Sequence, residues 1–310
     1  MFNSEVKERY LETREGVSFS RARGLFEASQ GLESFLGKDL AEFSTNELEL
    51  FFGQGEFSEP DSIRTKQAAI AKYADWYCAQ YPTTKHSVRD FDLTEFPYSK
   101  YFGPTVTKTP EELCRKLLQV YSADSAQPAM AALCLAWLGI DLKDAVLLRK
   151  EQVDTVHGKI YDLTGGVIVS HMPDYIRDIL DVYGKTYSAE RTQNQKFTVY
   201  ADDCGYFIKK MVTANSEKKS GAISTKRMMA YILTLKDLYN GTEGNDQTLT
   251  YANVQRSGNF YRLHQMAKSG VDVRSNKNAD KVRLCLGASK RNHKDNMLMY
   301  DAYLKVIGEK

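Results

Sequence analysis

Side chains able to grip a phosphate gather in the last third of this 310-residue chain. Lys290, Arg291, His293 and Lys294 form a basic run beside Ser289. The stretch SEKKSGAISTKR, residues 216 to 227, adds Lys218, Lys219, Lys226 and Arg227 ahead of a helix that Ser224 would cap. Ammonium and guanidinium donors beside hydroxyls suit phosphate oxygens, because charge-assisted hydrogen bonds to an anion are the strong ones. Ordinary solvated turns use the same residue types, so the clusters leave both readings open. The charge distribution bears on the choice. Net charge is +2 overall, yet residues 215 to 310 hold 17 Lys+Arg against 9 Asp+Glu, or +8, which leaves 25 against 31, or −6, for the rest. A basic C-terminal third is compatible with a polyanionic partner.

Other chemistries find no anchor. GxSxG, GxxxxGK[ST], GxGxxG and HExxH are all absent, so hydrolase, nucleotide-binding and metalloprotease readings have no starting point. The five cysteines, Cys78, Cys114, Cys134, Cys204 and Cys285, are scattered and odd in number, and read as free thiols. No apolar run reaches the roughly 18 residues of a membrane span, and the charged start MFNSEVKERYLETREG lacks a signal peptide's apolar stretch. A cytoplasmic protein without membrane attachment is expected.

The elements that must position these side chains are mostly helical. Amphipathic stretches run from about Asn3 to Arg14 and from Ser18 to Phe35, and a third from Ser44 to Phe52 opens on the capping box STNE. A fourth begins near Pro60, with Ile63, Ala69, Ile70, Tyr73, Trp76 and Tyr77 on one side as core. From Phe91 to Pro110 neither helical nor strand periodicity holds, and Pro97, Gly103, Pro104 and Pro110 mark a linker. Helix resumes from Pro110 to Tyr121, and PAMAALCLAWLG, residues 128 to 139, is apolar all round and predicts a buried helix. Lys159 to Leu163 and Val167 to Ser170 flank Thr164-Gly165-Gly166 as a hairpin, followed by a helix from Pro173 to Tyr183. Tyr187 to Asp203 is ambiguous. Helical signal returns at Tyr206 to Met211, Ser224 to Tyr239, Thr250 to Ser269, Asn278 to Cys285 and Lys294 to Ile307.

This order is similar to that of a tyrosine recombinase of the phage integrase family. Residues 138 to 154, LGIDLKDAVLLRKEQVD, resemble the family's TGxRxxEhhxLxWxDhD segment through Gly139, Asp144, Leu148, Val153 and Asp154. VHGKIYDLTGGVIVSHMPDYIRDILDVY resembles its three-stranded sheet and following helix, and CLGASKRNHKDNMLMYDAY the segment from the LLGH turn to the nucleophilic tyrosine. The resemblance implies a mainly α fold with a small β-sheet. It comprises an N-terminal SAM-like helical core-binding domain over 1–95, a linker over 96–110 and a recombinase-like domain over 111–310. It also implies a clamp on double-stranded DNA, chemistry without metal or cofactor, and homo-oligomers on DNA.

In active members two arginines hold the scissile phosphate, a hairpin lysine and histidines handle protons, and a tyrosine attacks. Most of that set is replaced here. The first arginine falls at Asp141, and a carboxylate there repels a phosphate. The hairpin turn has no lysine, leaving Lys159 at the start of its strand, and the histidine after the turn corresponds to Ala288, with His293 a few positions on. The HxxR element reads Asn253-Val254-Gln255-Arg256, with Arg262 and His264 as nearby basic alternatives. Tyr300 is the positional match for the nucleophile, with Tyr303 on about the same helix face.

The expected function is therefore a DNA-binding, integrase-like protein without strand cleavage, nucleoid-associated and serving a phage or mobile element. An alternative is an active recombinase, for DNA integration or recombination, using Tyr300 with Arg256. A third is a helical protein-interaction module sharing the fold.

Overall fold

The computed structural model describes residues 1–54, 59–82, 84–121, 123–185, 188–193, 195–202, 205–213, 221–233, 249–287 and 292–309. They form a mainly helical protein with two three-stranded antiparallel sheets, β1-β2-β3 and β4-β5-β6. Two compact units are present, Met1–Phe102 with Arg291–Lys310, and Gly103–Lys290.

The first unit contains α1 (Ser4–Glu12), α2 (Gly16–Leu36), α3 (Thr45–Gly53), α4 (Pro60–Gln80), α5 (Tyr98–Phe102) and the last helix of the chain, His293–Val306. The expected capping box forms at α3: the Ser44 hydroxyl accepts from the Glu47 N–H, and the Glu47 carboxylate accepts from the Ser44 N–H at 2.8 Å. The core is aromatic, with Tyr10 edge-on to Phe26 and Tyr73 at centroid distances of 6.0 and 5.0 Å. Within it lies a charge pair that sequence periodicity does not reveal. Lys7 and Glu33 are both fully buried, 2.5 Å apart, and the Glu33 carboxylate also accepts from the Ser29 hydroxyl and the Leu40 N–H. Burying two charges is tolerated because each is paired and hydrogen-bonded.

Residues 96–110 differ from a plain linker. Tyr98 and Phe102 are buried on α5, and the residues from Gly103 onward belong to the second unit. The end of the chain also groups differently from an expected domain over 111–310, because the last helix packs on α5 and α4. Arg64 of α4 explains part of this: its guanidinium holds the buried Asp295 carboxylate bidentately at 2.8 and 2.9 Å.

The second unit is built around α7 (Ala123–Trp137), whose residues Ala131 to Ala136 have no exposed surface, as its all-round apolar sequence predicts. Packed on it are α6 (Pro110–Val120), α9 (Asp174–Lys185) and α11 (Tyr251–Lys268), with α8 (Leu142–Leu147) following the turn at its end. A helix over 225–233 is α10, Ala279–Leu286 is α12, and the last helix of the chain is α13. Strands β1 (Val153–Asp154), β2 (Lys159–Tyr161) and β3 (Val167–Val169) form the expected sheet. Its turn places Gly165 at φ +86°, and the Asp162 carboxylate accepts from the Thr164 N–H, the Thr164 hydroxyl and the Gly166 N–H at 2.7 to 2.8 Å.

Helix at Tyr206 to Met211 is corrected. The chain there is extended: Tyr206 bridges Arg149, the Phe207 N–H donates to the Leu148 carbonyl at 2.7 Å, and β6 (Lys210–Thr213) pairs with β5 (Gln195–Asp202). A short apolar run fits a buried strand or a buried helix equally by periodicity, and backbone pairing decides it. Strand β4 (Ser188–Gln193) pairs with β5 in turn, which resolves the ambiguous stretch as a hairpin. The helix expected from Ser224 runs over 225–233, and the remainder of that expectation lies outside the described residues.

Candidate nucleic-acid interface

Asp141, at the position the resemblance gives to the first arginine, meets Gln255, an intervening residue of the HxxR element, in the second unit. Helix α7 ends in a turn at Leu138 to Asp141, and one side of α11 closes over it. Gly139 takes φ +87°, a left-handed conformation natural to glycine, and a Cβ there would also run into the Arg262 guanidinium. Gly258 of α11 lies flat against the turn, since a Cβ at that position would collide with the Trp137 carbonyl.

The polar side chains of α11 then satisfy the turn's own backbone. Arg262 donates to the Trp137 carbonyl, Gln255 to the Gly139 carbonyl at 3.1 Å, and the Tyr251 hydroxyl to the Ile140 carbonyl at 2.9 Å. Each would otherwise be an orphaned acceptor at the end of a buried helix. Gln255 also donates to the Asp141 carboxylate at 2.6 Å. A carboxylate held by a neutral amide therefore stands at the position the resemblance gives to the first arginine. Its charge has the sign of a phosphate's, and the amide's donors are directed at Asp141 and Gly139.

Arg262 and His264 were expected among DNA-contacting side chains; the structure buries His264 and leaves Arg262 half-buried. The Arg262 guanidinium bonds the Trp137 carbonyl and the Asn259 side chain, burial pulls its pKa down, and His264 is buried. Arg262 faces the end of α7 from its place on α11. Arg256 is half-buried and donates to Asn253 of its own helix at 3.2 Å. Tyr300 is 3% exposed on α13 and belongs to the first unit, whereas Arg256 belongs to the second.

Of the basic clusters, Lys226 and Arg227 are exposed at the start of α10, where Ser224 caps the helix by accepting from the Arg227 N–H at 3.2 Å. Arg227 also lies over the Tyr231 ring, 5.8 Å from its centroid. Lys294 is exposed in the first turn of α13, and His293 is half-buried. Lys218, Lys219, Lys290 and Arg291, with Ala288, lie outside the described residues. Lys159 is half-buried on β2, and the hairpin tip carries Leu163, 84% exposed, in place of a lysine.

Sequence reasoning passed over Tyr251 and Gln255. The signal that could have found them is their spacing: both fall one turn apart on the α11 face that also carries Arg262. Among the described residues no cluster of His, Cys, Asp and Glu could hold a metal ion, and no helix is long and apolar enough to cross a membrane.

Residues 1–79 match the family model described as the MrpR N-terminal core-binding domain. No curated protein matches the sequence. A solved structure of XerA recombinase is similar at 12% identity and a TM-score of 0.39, covering 98% of this chain and 97% of that one.

Proposed function

We propose that this chain binds double-stranded DNA on the plan of a tyrosine recombinase and does not cut it. The match of residues 1–79 to a core-binding domain and the basic C-terminal third support the binding. The observation that carries the loss of chemistry is the Asp141–Gln255 contact of 2.6 Å, which sets a carboxylate where the resemblance puts the first phosphate-holding arginine. Removing one such donor from a reacting site commonly costs about 10²–10³ in rate, and here the arginine, the hairpin lysine and two histidine positions are all replaced. Tyr300, the remaining candidate nucleophile, is buried, and Arg256 is occupied within its own helix.

The phosphate contacts fall to exposed cations, Lys226, Arg227 and Lys294, joined by Lys218, Lys219, Lys290 and Arg291. Such a protein acts as a regulator or architectural factor on phage, mobile-element or chromosomal DNA in the cytoplasm. Binding of duplex fragments from the flanks of the encoding gene, across a salt series, tests the reading. Affinity should fall steeply with salt, because each phosphate contact releases condensed counterions. The Lys226→Gln/Arg227→Gln variant should flatten the slope of log K against log salt by about two. Absence of binding at low salt would overturn the proposal.

A further inference from the structure

Helix α2 presents an exposed seam with a large apolar residue at each end and small residues between. Val17, Arg21, Gly24, Ala28, Gly31 and Phe35 are all exposed, and their spacing alternates between four and three residues, which keeps them on one side of a helix. Val17 is 74% and Phe35 85% exposed, large apolar side chains at opposite ends of a 21-residue helix roughly 30 Å long. Between them the seam is small: a Cβ at Gly24 or Gly31 would meet nothing. Phe35 also borders a groove of about 430 Å³ that Leu32, Leu50 and Tyr101 line.

These positions pair off about Phe26. Val17 and Phe35 lie nine residues either side of it, Arg21 and Gly31 five, and Gly24 and Ala28 two. We infer that α2 is the contact through which two copies of this chain associate, with the two helices antiparallel across a two-fold axis beside residue 26. The partner's Val17 then seats against Phe35 at the mouth of the groove, Gly24 meets the partner's Ala28, and the helices approach to about 8 Å, the close end of helix packing. Each two-fold contact occurs twice, so a self-complementary patch is what such an interface requires, and this seam sets apolar Val17 against Phe35 and small Gly24 against Ala28. Charge agrees: Arg21 lies opposite the partner's Gly31, one turn from its Glu27, an exposed carboxylate that pairs with the exposed Arg23 of its own helix at 3.3 Å. The inference stands independently of DNA binding.

Sedimentation velocity of the full chain over a concentration series tests it. Dimer formation is expected, with Phe35→Glu weakening it at least about tenfold while the thermal transition stays in place, since Phe35 packs on little of its own chain. Orientation is read by mild oxidation: the Val17→Cys/Phe35→Cys double variant should yield several-fold more covalent dimer than either single variant. The single variants control for the partly exposed Cys78 and Cys285. A chain that stays monomeric at every concentration, a dimer indifferent to Phe35→Glu, or equal cross-linking in single and double variants would overturn the inference. So would a monomer whose duplex affinity drops with Phe35→Glu, which would assign this face to nucleic acid.

Discussion

Gln255 Nε2 stands 2.6 Å from the Asp141 carboxylate and 3.1 Å from the Gly139 carbonyl, so one amide locks the turn after α7 to the helix that crosses it. The polar side chains of α11 are thus committed to the backbone of this turn, and they help to hold the second unit together.

That commitment predicts a cost for filling the contact. Gly258→Ala puts a methyl group into the Trp137 carbonyl and should destabilise the second unit by about 1–3 kcal/mol, the usual penalty of overpacking. Urea unfolding would register a lower midpoint with little change in slope.

In the first unit the Lys7–Glu33 pair is the sensitive point. Lys7→Met leaves a buried carboxylate unpaired and should cost about 3–5 kcal/mol, enough to unfold the unit in mild denaturant. A loss below about 1 kcal/mol by thermal denaturation would mean that Glu33 finds water on its own.

Asp295→Asn removes the charge that Arg64 grips and should loosen α13 from α4, at a cost of about 1–3 kcal/mol. Limited proteolysis should then clip α13 faster than in the parent protein. Equal cleavage rates would assign the attachment of α13 to the apolar contacts of Met299, Tyr300 and Tyr303.

The hairpin turn carries a pH signature. Hydrogen bonds from the Thr164 hydroxyl and from backbone N–H groups hold the Asp162 carboxyl below the usual carboxylate range. A group whose folded pKa is depressed stabilises above its unfolded pKa, near 3.9, and that contribution is lost as pH falls through the folded value. The turn should therefore be unchanged through neutral pH and loosen only in strong acid. Carbon-13 titration of Asp162 should give a midpoint under 3.8, the reference value, and a midpoint at or above it would contradict the turn geometry.

Much of this was legible in the sequence because the strongest local signals are short-range. The STNE box, the all-apolar α7 and the glycine turn between β2 and β3 each fix their element from within a few residues. The candidate site was legible only as positions where the resemblance expects other residues. That Gln255, Tyr251 and Arg262 would be spent on three carbonyls of one turn depends on how α11 lies across α7, residues more than a hundred positions away. The same limit hid the Lys7–Glu33 pair and the inward turn of His264, and it led YFIKKM to be read as helix when its pairing partner was Arg149 and β5.

The measurement bearing most directly on the central claim is covalent trapping on a nicked duplex, run at a salt concentration where the chain is bound. A retarded, salt-sensitive complex that dissolves completely in denaturant is predicted, with Tyr300→Phe behaving as the parent protein does. A denaturant-stable protein–DNA band that disappears in Tyr300→Phe would contradict it and restore strand cleavage to this fold.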